Sequence, residues 1–245
     1  MINYCKKGIV YPEGFKTING ILCLIVMLLF SCSSANDYLQ KADIAINKRD
    51  YRKAIVLLNN ALAKKKYLSE AYTEKGYCYT MLNKDDSALI VYGQLISYSP
   101  KNTLALFNSG NCKYRQGKFE EAINFFNSAM ITKGFNPNDS SAGQYVLEYT
   151  PVGKDLLGIN DKFDVPLAEI YYQVGLAHYE VMQIKKAYGY FSNCISDKFN
   201  VGQSHYMIGM CWLASNNREK ACQAFRTSLI NGYKEAEEQF HKTCK

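Results

Sequence analysis

Nine cysteines and three histidines are the side chains of this sequence best suited to chemistry, and their spacing decides which chemistry is open to them. A thiol acts as nucleophile or metal ligand only as thiolate, and an imidazole acts as general base only within reach of the proton it takes. His178, His205 and His241 stand far apart, and no nucleophile elbow, P-loop, dinucleotide fingerprint or zincin spacing surrounds them. Catalysis is therefore not expected, and no cofactor is called for. Cys222, His241 and Cys244 have metal-ligand types, but a closed zinc site needs a fourth donor and the sequence offers no convincing one. Thiol-redox chemistry would require a low-pKa thiol among Cys78, Cys112, Cys194 or Cys211.

The elements that must position these residues follow a fixed rhythm. A small residue recurs at Ala42, Gly76, Gly110, Gly175 and Gly209, and an alanine follows each by twelve positions at Ala54, Ala88, Ala122, Ala187 and Ala221. Four further on stands a large residue: Leu58, Tyr92, Phe126, Phe191 or Phe225. Spacing of this kind suits helical hairpins in which the small residue of helix A meets the helix B alanine while the large residue fills the gap to the next hairpin. Polar breaks at 48–50, 83–85, 116–118 and 216–218 fall where each hairpin must turn. One hairpin cannot bury its own apolar face, so neighbours must stack.

The period and the A-x-x-x-F pattern resemble the tetratricopeptide repeat, with repeat two matching at Tyr72, Gly76, Tyr79, Ala88, Tyr92 and Pro100. Lys113 and His178 stand where that family prefers Tyr. The expected fold class is all-α, a tetratricopeptide-type α-solenoid of about five helical hairpins with a C-terminal capping helix. Repeats are placed at 35–136 and 168–235, with the cap at 236–245. Residues 137–167 break the rhythm with a loop signal, an alternating stretch at 144–149 suggesting a short strand, and a turn at 151–153. They form either a degenerate repeat or an insertion on the binding face, and Pro166 restarts helix A at a favourable first position.

In this register Cys78, Cys112 and Cys211 fall two residues after a helix A glycine, and Cys194 takes the site that Ala61 and Ala129 fill elsewhere. All four are expected as buried apolar thiols. Cys222 lies near the start of the last helix B and Cys244 near the end of the next helix, with Asn231-Gly232-Tyr233 turning between them. An antiparallel pair brings them to similar height, so a disulfide that pins the capping helix is expected.

Ahead of the repeats, residues 21–30 are an unbroken apolar run preceded by Lys6, Lys7 and Lys16. Ten residues are too few to span a bilayer core, so residues 1–31 read as a secretory leader. Leu29-Phe30-Ser31-Cys32 resembles a bacterial lipobox, which makes Cys32 the lipidated first residue and 32–36 a short tether. The resemblance implies an envelope protein anchored to a membrane, with Ser33 and Ser34 directing it to the outer membrane. The leader carries Lys6, Lys7, Lys16 and Glu13, so its loss lowers the net charge from +7 to +5. That mild, dispersed charge and an exported destination argue against nucleic acid as a partner.

Binding is the expected role. The family resemblance implies a concave wall built from helix A positions, here Thr73, Tyr77, Phe107, Asn111, Tyr114, Tyr172, Leu176, Tyr179, Tyr206, Met210 and Leu213. This wall is aromatic and almost uncharged, which suits a protein or peptide partner, with a glycan or cell-wall fragment as the alternative ligand. Asn108, Asn111 and Arg115 match part of the clamp that the family uses for a terminal carboxylate. No lysine precedes them, so that ligand is not expected.

Overall fold

The structure, a computed structural model, describes residues 33–135 and 164–244. The leader, Cys32 and the expected strand at 144–149 lie outside the described residues. Helices α1 (Ala35–Asn47) and α2 (Tyr51–Lys64), α3 (Ser69–Met81) and α4 (Asp85–Tyr98), and α5 (Thr103–Arg115) and α6 (Phe119–Thr132) form three hairpins. Two more follow, α7 (Leu167–Glu180) with α8 (Ile184–Ser196) and α9 (Val201–Ala214) with α10 (Arg218–Ile230), before a short α11 (Ala236–Thr243). Each helix packs on the next, and the A helices α3, α5 and α7 also touch across hairpins. This is the all-α solenoid that the spacing implies.

Local chemistry explains where the helices begin. Ser34 and Asp37 form a reciprocal capping box at α1, satisfying two backbone donors that would otherwise lack partners. Asp50, Asn102 and Asn217 each accept from a backbone N–H three residues on, at α2, α5 and α10. Pro166 sits at the N-cap of α7, one residue before the first-turn position expected for it.

Every hairpin turns on a left-handed residue at one phase: Arg49, Asn83, Gly117, Met182 and Asn216, with φ between 55° and 71°. In each, the next backbone N–H reaches back five residues, as in Asp50 N to Ala45 O at 2.8 Å and Gln183 N to His178 O at 2.8 Å. That bond satisfies a carbonyl that the end of helix A leaves open.

The joint inside each hairpin differs from expectation. The glycine of helix A faces the ring of its own helix B rather than the alanine. A Cβ on Gly76 would come within 2.3 Å of Tyr92, on Gly110 within 2.5 Å of Phe126, on Gly175 within 2.8 Å of Phe191 and on Gly209 within 2.4 Å of Phe225. All four rings are fully buried, and so are the alanines. The ring needs the whole volume of the missing methyl, which is why the register carries glycine there. In the first hairpin Ala42 shares a buried cluster with the smaller Leu58.

At the far end, α11 covers the last hairpin. Ala236 and Thr243 are buried, and the Arg218 guanidinium donates from Nε to the Thr243 carbonyl. Cys222 and Cys244 meet there with Cα atoms 5.6 Å apart, inside the usual range for a bridge. Among the described residues no group of three or more His, Cys, Asp or Glu could hold a metal ion. Among the same residues no helix is long and apolar enough to cross a membrane.

Candidate functional site

The candidate site is the row of A helices α3, α5, α7 and α9. Because residues three before, one after and four after the glycine project near that face, each A helix offers three positions to it. Position three before lies one turn from the glycine and packs on the same ring. Phe107 stands 5.8 Å from Phe126, Tyr172 5.7 Å from Phe191 and Tyr206 5.6 Å from Phe225, centroid to centroid. Thr73 and Phe107 are buried there, so they belong to the interior of the hairpin and not to an open wall. Tyr172 and Tyr206 occupy the same position with longer side chains, and their outer ends stay half-exposed.

The remaining expected positions stand at the surface. Tyr77 is exposed and meets Tyr51 edge-on at 6.1 Å. Asn111, Tyr114, Leu176, Tyr179, Met210 and Leu213 are half-buried. The tyrosines form one ribbon: Tyr172 lies near enough to Tyr114, and Tyr179 to Tyr206, for ionisation of one to disfavour that of the other, and Tyr206 lies 5.5 Å from Tyr233. Tyr114 donates from its hydroxyl to Glu180 Oε1 at 3.3 Å, tying α5 to the end of α7.

Phenols are already protonated near neutral pH, and burial raises these further above their ordinary value of 10.0. It pushes Tyr114 up to about 12, with the Glu180 charge adding to it, and Tyr172 up to about 12. Tyr179 moves in the same direction for the same cause. The ribbon is thus a neutral set of hydroxyl donors and acceptors on rigid rings.

Tyr233 belongs to this ribbon and the Glu180 carboxylate borders it, although the register of A helices did not point to either. Glu180 closes α7 beside Tyr179, and Tyr233 comes from the turn before α11, where it passes close over Gly202. Adjacency to a groove tyrosine was a usable signal for Glu180. Tyr233 had none, because its approach depends on how the cap folds back.

Arg115 is already committed. Its Nε donates to both Asp85 oxygens at 3.2 Å, and its terminal nitrogen to Asp85 at 2.5 Å and to Cys112 Sγ at 3.3 Å. A guanidinium so paired is poorly placed to receive a ligand carboxylate, which agrees with the missing lysine.

The four core thiols are buried. Burial pushes Cys78, Cys194 and Cys211 up to about 12 and Cys112 to about 11, even with Arg115 beside it. Such surroundings favour thiol over thiolate, opposite to what a redox nucleophile requires. His178 is likewise buried, stacked on Tyr190 at 5.4 Å with ring planes within 5°. Its pKa falls to about 4, chiefly through burial and then through Lys186.

With this geometry in view, residues 104–130 match the tetratricopeptide repeat family. The fold is a tetratricopeptide-type solenoid. The solenoid is similar to MamA from Desulfovibrio magneticus RS-1, at 14% identity and a TM-score of 0.63, over 84% of this chain and 96% of that one. It is also similar to YrrB, described as a TPR protein with an unusual peptide-binding site, at 14% identity and a TM-score of 0.61, over 86% and 92% of the two chains. In sequence it is 20% identical over 215 residues to DnaJ homolog subfamily C member 7 of Mus musculus. That alignment takes in 80% of this chain but 43% of the relative, so the chain spans less than half the relative's length.

Proposed function

We propose that this solenoid is a lipid-anchored scaffold of the bacterial envelope that holds a protein or peptide partner against its tyrosine ribbon. The observation that carries the reading is the continuity of Tyr114, Tyr172, Tyr179 and Tyr206 across three successive A helices. Half-buried tyrosines give large, already ordered contact area with a hydrogen-bonding tip, the combination enriched at binding hot spots. The peptide-binding site of the similar YrrB supports a peptide ligand for the same fold. The near-neutral ribbon favours an apolar or aromatic partner segment over an acidic or basic one.

Cys32, after the apolar run and Ser31, supplies the acyl attachment, and the outer membrane is the destination that Ser33 and Ser34 favour. An oxidising compartment would close Cys222 and Cys244 into a bridge that fixes α11. Wild-type, Cys32→Ser and Tyr114→Ala/Tyr179→Ala proteins, expressed in a bacterial host, test the whole reading by membrane fractionation, crosslinking and mass spectrometry. Membrane association should be lost in Cys32→Ser, and one defined envelope protein should be lost from the double tyrosine variant. Unchanged fractionation of Cys32→Ser removes the anchor, and unchanged capture by the tyrosine variant removes the ribbon.

A further inference from the structure

On the B-helix side, between α6 and α8, lies a cavity of about 610 Å³ that the ribbon does not use. Its size falls in the range of about 300–1,000 Å³ typical of small-molecule sites. One wall carries Tyr190, stacked parallel on the buried His178, and Phe135; Tyr171 lies behind them, 6.0 Å from Tyr190 and 5.4 Å from Phe135. The others carry amides and a hydroxyl: Asn124 and Asn127 from α6, and Gln183, Ser192 and Asn193 from α8 and its N-cap. Glu120 and Lys186 add one charge of each sign. Two buried polar atoms of lining residues, His178 Nδ1 and Asn127 Oδ1, have no hydrogen-bond partner among the described residues. A buried polar atom left unpaired is costly, and a rotation of either side chain toward the cavity would let a ligand pair it.

We infer that this cavity is a binding site for a neutral, hydroxyl-bearing ring, a monosaccharide or one end unit of a glycan, held between the His178–Tyr190 wall and the amides of α6 and α8. Amide side chains both donate and accept, as do vicinal hydroxyls, and an aromatic wall receives the apolar face of a sugar ring. A planar heterocyclic base fits less well. His178 and Tyr190 already stack on one another, leaving no aromatic sandwich for it to enter. The balanced charge of the lining also gives no hold on a phosphate or carboxylate. The site is independent of the ribbon and stands or falls without it.

Trp212 is the sole tryptophan and lies 5.4 Å from Tyr188 of the cavity lining, so its fluorescence reports on the site. The full chain is titrated with glucose, galactose and N-acetylglucosamine, and with adenosine and a neutral tripeptide as competing probes, by fluorescence and calorimetry. Saturable binding of at least one sugar is expected. Asn124→Ala and Asn193→Ala should each weaken it about tenfold, the effect of one hydrogen bond lost, while Tyr114→Ala leaves it unchanged. Asn124 is exposed, so its variant removes a contact without disturbing the fold. The inference is overturned if none of the three sugars saturates, if affinity is untouched by both asparagine variants, or if adenosine or the tripeptide binds more tightly.

Discussion

The first hairpin and the four after it close the same joint with different parts. Ala42 with Leu58 does in α1 and α2 what glycine with an aromatic ring does in the later hairpins. A methyl is moved from one helix to the other in exchange for a larger ring, and the interior stays full either way. What is held constant is the summed volume of the pair, so the small residue of helix A cannot be understood without the large residue sixteen positions later.

The largest break in this comparison is removal of a ring. Phe126→Ala should cost about 3–5 kcal/mol, since the cavity it leaves lies within the largest buried cluster among the described residues, and chemical denaturation followed by circular dichroism measures it. Smaller, and more telling, is Gly110→Ala. Its new methyl meets the rigid Phe126 ring, so a loss of about 1–3 kcal/mol is expected. Gly110→Ala/Phe126→Leu rebuilds the first hairpin's pair in the third, and the double variant should be more stable than the two single losses predict when added. Strict additivity would show that glycine and ring are not one unit.

A third test separates repeat four from its neighbours. Three residues past the glycine, repeats two, three and five carry Tyr79, Lys113 and Trp212, whereas repeat four carries the buried His178. Its folded pKa of about 4 lies below the ordinary value of 6.5, so the unfolded chain binds more protons between these values. Stability from this residue is therefore complete above about pH 6.5 and declines as pH falls toward 4. His178→Gln should flatten that part of a melting-temperature profile, and an unchanged slope would assign it to other groups.

Most of the solenoid was legible because the glycine, alanine and ring recur at fixed phase, and four of the five hairpin turns carry polar breaks. The remaining turn, Val181-Met182-Gln183 of the fourth hairpin, has no such mark: Met182 takes φ 59°, held by the same backbone bond as the others. Spacing gives the phase of a residue around a helix but not its depth. For that reason Thr73 and Phe107, in phase with the open wall, turned out to be buried against their own hairpins, while Tyr172 and Tyr206 reach out from the same place by length alone. The cavity between α6 and α8 was not legible at all, since its lining comes from two hairpins separated by residues 136–163.

The ring that fills each glycine's hollow comes from the same hairpin, never from the next one. Each 34-residue unit therefore carries its own key and lock, and its neighbours need only present a compatible outer face. A duplication or deletion in steps of one whole unit would leave every such lock intact. The length of this scaffold, and with it the reach of the tyrosine ribbon, is thus free to change by whole repeats without rewriting any hairpin's interior.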